Sequence, residues 1–83
     1  MFLEIITPDQ KVYSGEARLV KIPGSAGVFE LLDNHAPIIS SMNEGQVKVI
    51  TPQDQSLFFD ITGGIVQFSS NKAAVLADAV TSK

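Results

Sequence analysis

Turn-forming residues recur so often along this chain that no apolar segment between them offers three turns of helical spacing. Pro8-Asp9, Gly15, Pro23-Gly24, Thr51-Pro52, Gly63-Gly64 and Ser70-Asn71 each close a short run rich in Val, Ile, Leu and Phe. Proline removes an amide donor, glycine opens positive φ, and Asp, Asn and Ser bond to their own backbone, so each pair interrupts regular structure for its own reason. What remains between the interruptions is strand-sized.

Phe2–Thr7 reads as a first strand and Lys11–Ser14 as a second, broken at Gly15. Glu16–Ile22 reads as a third, ended by a turn at Pro23-Gly24. Gly24-Ser25-Ala26-Gly27 reads as a flexible loop, and Val28–Leu32 as a short apolar stretch leading to Asp33-Asn34-His35-Ala36-Pro37. From Gly45 the alternation becomes regular. Val47 and Val49 oppose Gln46 and Lys48, and Leu57, Phe59 and Ile61 oppose Phe58, Asp60 and Thr62, the period-two signature of half-buried strands. Gly63-Gly64 is the expected hairpin that sends Ile65–Ser69 back antiparallel, and Ala73–Ala77 is the expected last strand. Eight to ten strands at this spacing point to an all-β single domain over residues 1–83, a β-sandwich or flattened barrel.

Composition narrows function mainly by exclusion. A chain of 83 residues buries about 60–65% of its unfolded surface, enough for one modest core. It has no cysteine, which removes disulfides, thiol catalysis and thiolate metal ligation, and permits a reducing compartment. The start lacks a signal-peptide pattern and no stretch approaches the roughly 20 apolar residues of a membrane span, so a soluble, unsecreted chain is expected. Six scattered Lys and Arg in a net charge of −3 make no basic stripe for nucleic acid.

Groups able to do chemistry do not converge in the sequence. His35 is the sole histidine, Ser40 and Ser41 follow a proline without nucleophile-elbow glycines, and Asp33, Asn34 and His35 are adjacent rather than spaced to converge on a metal. His35 therefore reads as a loop residue bonded locally or touching a partner. Gly24–Gly27 lacks the Lys and Ser/Thr of a phosphate loop. Glu4, Glu16, Glu30, Asp54, Asp60 and Asp78 read as solvated. No catalytic, cofactor or metal site is expected. The competing functional reading is a lipoyl- or biotinyl-type carrier domain modified at Lys72, with Asn71-Lys72-Ala73 read as a hairpin tip; a third is a generic β-sandwich interaction module.

In order, Thr7-Pro8, Tyr13-Ser14-Gly15-Glu16-Ala17, Ile22-Pro23-Gly24, Gly27, His35-Ala36-Pro37, Gly45, Gly63-Gly64 and Val75-Leu76-Ala77-Asp78 span nearly the whole chain. This ordered set resembles the epsilon subunit of the proton-translocating F-type ATP synthase. The resemblance implies a sandwich of about ten short strands in two sheets, acting as a non-catalytic, cofactor-free central-stalk subunit that couples the gamma subunit to the c-ring. Its place would be peripheral, on the cytoplasmic face of a bacterial inner membrane, touching the membrane only through the complex. By the same resemblance, Ser25, Ala26, Gly27, Val28, Phe29 and Glu30, together with Asp33, Asn34 and His35, match a c-ring-facing end. Met42 and Asn43 match a gamma-facing region. Val28, Phe29, Leu31 and Leu32 are more hydrophobic than a free surface loop requires, as a docking surface would be; core packing is the alternative, and for Phe29 and Leu31 the two readings stand equal. Glu30 and Asp33-Asn34 depart from the glycine and Pro-Gly turn frequent in that family. Ala79-Val80-Thr81-Ser82-Lys83 is too short for the helical hairpin with which many members continue, and which can bind ATP or inhibit hydrolysis.

Overall fold

The computed structural model describes residues 1–82, and every regular element among them is a strand. In chain order these are β1 (Phe2–Ile6), β2 (Lys11–Glu16), β3 (Leu19–Gly24), β4 (Gly27–Leu32) and β5 (Ile38–Met42). They continue with β6 (Gly45–Ile50), β7 (Ser56–Ile61), β8 (Gly64–Ser69), β9 (Lys72–Ala77) and β10 (Val80–Ser82). Hydrogen bonding runs continuously in the order β10-β7-β6-β3-β5-β8-β9-β1-β2, with β4 on the other edge of β3. The step from β3 to β5 is a single pair, Gly24 with Met42, whereas other neighbours share ladders of up to six pairs. That one pair is a corner. On one side of it lie β10, β7, β6, β3 and β4, on the other β5, β8, β9, β1 and β2, and the ribbon folds back on itself as a sandwich closing toward a barrel. The expected all-β sandwich is the observed fold.

Period-two alternation explains how the two layers hold together. Val20, Ile22, Leu31, Val47, Val49, Phe59 and Ile61 point inward from the first layer, and Leu3, Ile5, Val66, Phe68, Ala73 and Val75 from the second, into one core. Burying a side chain of this kind contributes about 1.5–3 kcal/mol relative to leaving it exposed. All neighbouring strands run antiparallel except β1 and β9, which pair in parallel from Phe2–Lys72 to Ile6–Leu76.

Several local expectations are corrected. Gly15 does not break β2; it pairs with Leu3 inside the strand, and the irregularity falls between Ile5 and Ile6 of the partner. Pro23 and Gly24 do not turn the chain but pair with Val28 and Gly27, so the supposed flexible loop is a tight hairpin with only Ser25 and Ala26 at its tip. Proline is tolerated in β3 because the ladder with β6 ends at Lys21, leaving no bond on that side for residue 23 to donate. Gly63-Gly64 makes no hairpin either. Both edges of β7 are taken, by β6 and β10, and β8 pairs with β5 and β9, so the two glycines carry the chain from one layer to the other. Their φ values of 140° and 145° supply the freedom that crossing requires. Ala73–Ala77 is not the last strand, since β10 follows, and β5 is a strand that the sequence reading passed over.

Candidate functional site

The residues singled out for an interface fall at two places, the two ends of β4. At its start, the Ser25-Ala26 tip is held against the end of β5. The Ser25 amide donates to the Ser41 carbonyl at 3.0 Å, the two hydroxyls lie 2.7 Å apart, and the Asn43 amide donates to the Pro23 carbonyl at 2.9 Å. A side chain at Gly24 would meet the Gly27 carbonyl and the Phe29 ring, each at 2.7 Å, so this end closes only around glycine. Val28 is 64% exposed, Leu32 is 50% exposed, and Glu30 between them also faces solvent opposite Lys21. Phe29 and Leu31 turn the other way, into or against the core. Alternation therefore divides the apolar stretch: Val28 and Leu32 are surface, Phe29 and Leu31 are packing.

Six residues on, at roughly 3.3 Å each, about 20 Å separates this tip from the turn that follows β4. There the Asp33 carboxylate meets the amino group of Met1, which also donates to the Ala17 carbonyl. Asn34 adopts φ 62°, and its amide donates to Oδ1 of Asn71 at 2.7 Å. The His35 amide donates to the Leu32 carbonyl, its Nδ1 lies 2.7 Å from the Ala36 carbonyl, and its ring meets Phe68 edge-on at 5.8 Å. His35 is bonded locally, as its loop position implied. The two segments matched to a c-ring-facing end, 25–28 and 33–35, lie at opposite ends of β4. Asn43 is exposed beside the hairpin tip, and Met42 is only 5% exposed, so its side chain belongs to the core rather than to a contact surface.

Two other groups were misjudged from sequence. Glu4 is not simply solvated: on the outer face of β1 it sits between two lysines from the flanking strands, with Lys11 Nζ at 3.0 Å and Lys72 Nζ at 3.4 Å. The hydrogen bond from Lys11 is the main reason its carboxyl is held below its ordinary value, with Lys72 adding to it. Lys72 is not at a hairpin tip; Ser70 and Asn71 are, and Lys72 opens β9 with its ammonium 5.7 Å from the centre of the Phe2 ring. Among the described residues, no group of three or more His, Asp or Glu is placed to hold a metal ion. Sequence reasoning also missed a shallow apolar groove of about 350 Å³ on the outer face of the second layer, lined by Ile6, Pro8, Ile65 and Leu76. Its only sequence signal is that outward positions on β8 and β9 carry Ile and Leu.

An all-β domain whose singled-out segments lie at two separated ends, with no metal-holding cluster among the described residues, is the geometry to set beside known proteins. A family model described as the ATP synthase delta/epsilon chain, beta-sandwich domain, matches residues 1–83. The chain belongs to this family. Similar relatives include the ATP synthase epsilon chain of Protochlamydia amoebophila, 36% identical, with 96% of this chain and 54% of that one covered. The epsilon chain of Chlorobaculum tepidum is 35% identical, with 95% and 90% covered. The chain thus spans about half the length of the first relative and nine-tenths of the second. Among solved structures, a chain in the Euglena gracilis mitochondrial ATP synthase (OSCP/F1/c-ring) superposes with a TM-score of 0.90 over 96% of this chain and 51% of that one, at 15% identity. A chain of the Tetrahymena thermophila mitochondrial ATP synthase central stalk and c-ring gives 0.82, with 99% and 66% covered, also at 15% identity. At that identity the family's sandwich is what the two structures share with this chain.

Proposed function

We propose that this chain is a non-catalytic central-stalk subunit of a rotary ATP synthase, coupling the gamma subunit to the c-ring. The observation that carries the reading is the family match over the whole of residues 1–83. The superposing chains come from ATP synthase assemblies, one of OSCP, F1 and c-ring and the other of central stalk and c-ring, which supports the same reading. Among the described residues no helix is long and apolar enough to cross a membrane. The chain joins the membrane-associated complex through protein contacts, on the cytoplasmic face of a bacterial inner membrane.

Such a coupler needs two interfaces and little compliance between them, because torque is lost where a link bends. Opposite ends of β4 meet that requirement. The hairpin end, with Ser25, Ala26, Gly27, Val28 and Glu30, faces the c-ring, and Asn43 belongs with it by position. The far end, with Asp33, Asn34 and His35, is left to face gamma. Phe29 and Met42 act from within, as packing beneath the hairpin. In the assembled enzyme a cysteine at Val28 should cross-link to one in the polar loop of a c subunit, and a cysteine at His35 to gamma. Exchange of those partners would reverse the orientation. Failure of both sites to cross-link within a complex that retains the chain would remove these ends as interfaces.

A further inference from the structure

We propose that Asn71 is the positioning residue that holds the Asp33–His35 turn in the shape it presents to a partner. The inference rests on the reading above that this turn faces gamma, and it assigns the residue on which that face depends. Asn71 occupies the second tip position of the β8–β9 hairpin, at φ 57°, next to Ser70 at φ 52°. A two-residue hairpin with both tip residues left-handed accepts Asn or Gly readily, so the local backbone alone requires no side chain here. Yet the side chain is used, and at long range. Its Oδ1 accepts the Asn34 amide at 2.7 Å, 37 residues away in the chain, while its backbone carbonyl accepts the Phe2 amide at 3.1 Å.

One residue therefore joins three segments: the β8–β9 tip, the start of β1 and the turn after β4. Asn34 is likewise left-handed at φ 62°, a conformation asparagine tolerates, and the bond from its amide to Asn71 ties that peptide to the β8–β9 tip. On either side of Asn34, Asp33 is drawn to the Met1 amino group and the His35 amide to the Leu32 carbonyl. With the central peptide held, the imidazole settles edge-on against Phe68 and the exposed Asp33 and Asn34 side chains keep one arrangement. A preformed turn binds without first losing conformational freedom, which is what positioning contributes to an interface.

Two substitutions separate the side chain from the turn it sits in. Asn71→Gly keeps a residue at ease at positive φ and deletes the acceptor; Asn71→Asp keeps an oxygen in the same place. Solvent exchange of the Asn34 amide is read by NMR magnetisation transfer on the 83-residue chain, with the Phe68 and Ala73 amides of the same hairpin as the reference. Binding to purified gamma subunit is read by calorimetry on the same samples. We expect Asn71→Gly to speed Asn34 exchange about fivefold, the loss of one net hydrogen bond, and to weaken gamma binding about as much. The hairpin amides should not change, and Asn71→Asp should restore both quantities. Unchanged Asn34 exchange in Asn71→Gly overturns the positioning role. Faster exchange with unaltered gamma affinity keeps the role and overturns the placement of gamma at this end.

Discussion

Glu4 shows how much of this molecule is decided by a single side chain and its neighbours. From sequence it is one acidic residue among nine, outward on a strand; only the strand order β9-β1-β2 brings Lys72 and Lys11 to either side of it. Because its carboxyl is held below its ordinary value of 4.5, Glu4 contributes stability that is present above that pH and is lost as pH falls through the lower folded value. The urea midpoint of the native chain should exceed that of Glu4→Gln at neutral pH, and the gap should close below about pH 4.5; a gap independent of pH would contradict the pairing. Along β4, Leu31→Ala should cost about 2–5 kcal/mol in the same assay and Val28→Ala within about 0.5 kcal/mol, since one is fully buried and the other 64% exposed. The signal that separates them is Glu30, a charged residue that shares a face with Val28 and Leu32 and leaves Phe29 and Leu31 for the core. Where polar and apolar residues alternate, as at Val47 and Val49, the inward residues were legible directly.

Strands were more legible than their connections. A short apolar run bounded by turn residues announces itself, but which edge it will pair with depends on residues far away in sequence. Gly63-Gly64 illustrates the difference: two glycines between strands satisfy the rule for a hairpin, and only the prior occupation of both edges of β7 makes them a crossover. Pro23-Gly24 misled for the opposite reason, since the ladder that proline would have broken ends two residues earlier. The three-residue β10 and the half-polar β5 gave too little periodicity to register. The crossover has a testable consequence. A methyl group at Gly64, which sits at φ 145°, would meet the Leu76 carbonyl at 2.1 Å, so Gly64→Ala must move β9 backbone. Backbone strain and overpacking together set the loss at roughly 2–4 kcal/mol in denaturant unfolding. A substitution that leaves the midpoint unchanged would mean that the glycines are not confined as described.

At the scale of the whole molecule, the ordered series of short motifs from Thr7-Pro8 to Val75-Leu76-Ala77-Asp78 made the family legible, while the distribution of the site over the surface was not. Distance along β4 is a property of the folded strand, so sequence alone did not show that residues eight positions apart lie at opposite ends of it. The domain measures 26 × 25 × 20 Å, and the two ends of β4 lie nearly a full dimension apart. Far-ultraviolet circular dichroism should show β structure without a helical double minimum, as every described element is a strand. The central claim is that this sandwich couples gamma to the c-ring. It is tested most directly by adding the chain to membrane vesicles whose ATP synthase lacks its epsilon subunit and measuring ATP-driven proton uptake against ATP hydrolysed. The account predicts that uptake per ATP rises on addition and that the rise is lost when Val28 and Glu30 are both replaced by Lys. Binding of the chain to the enzyme with no gain in proton uptake would contradict it.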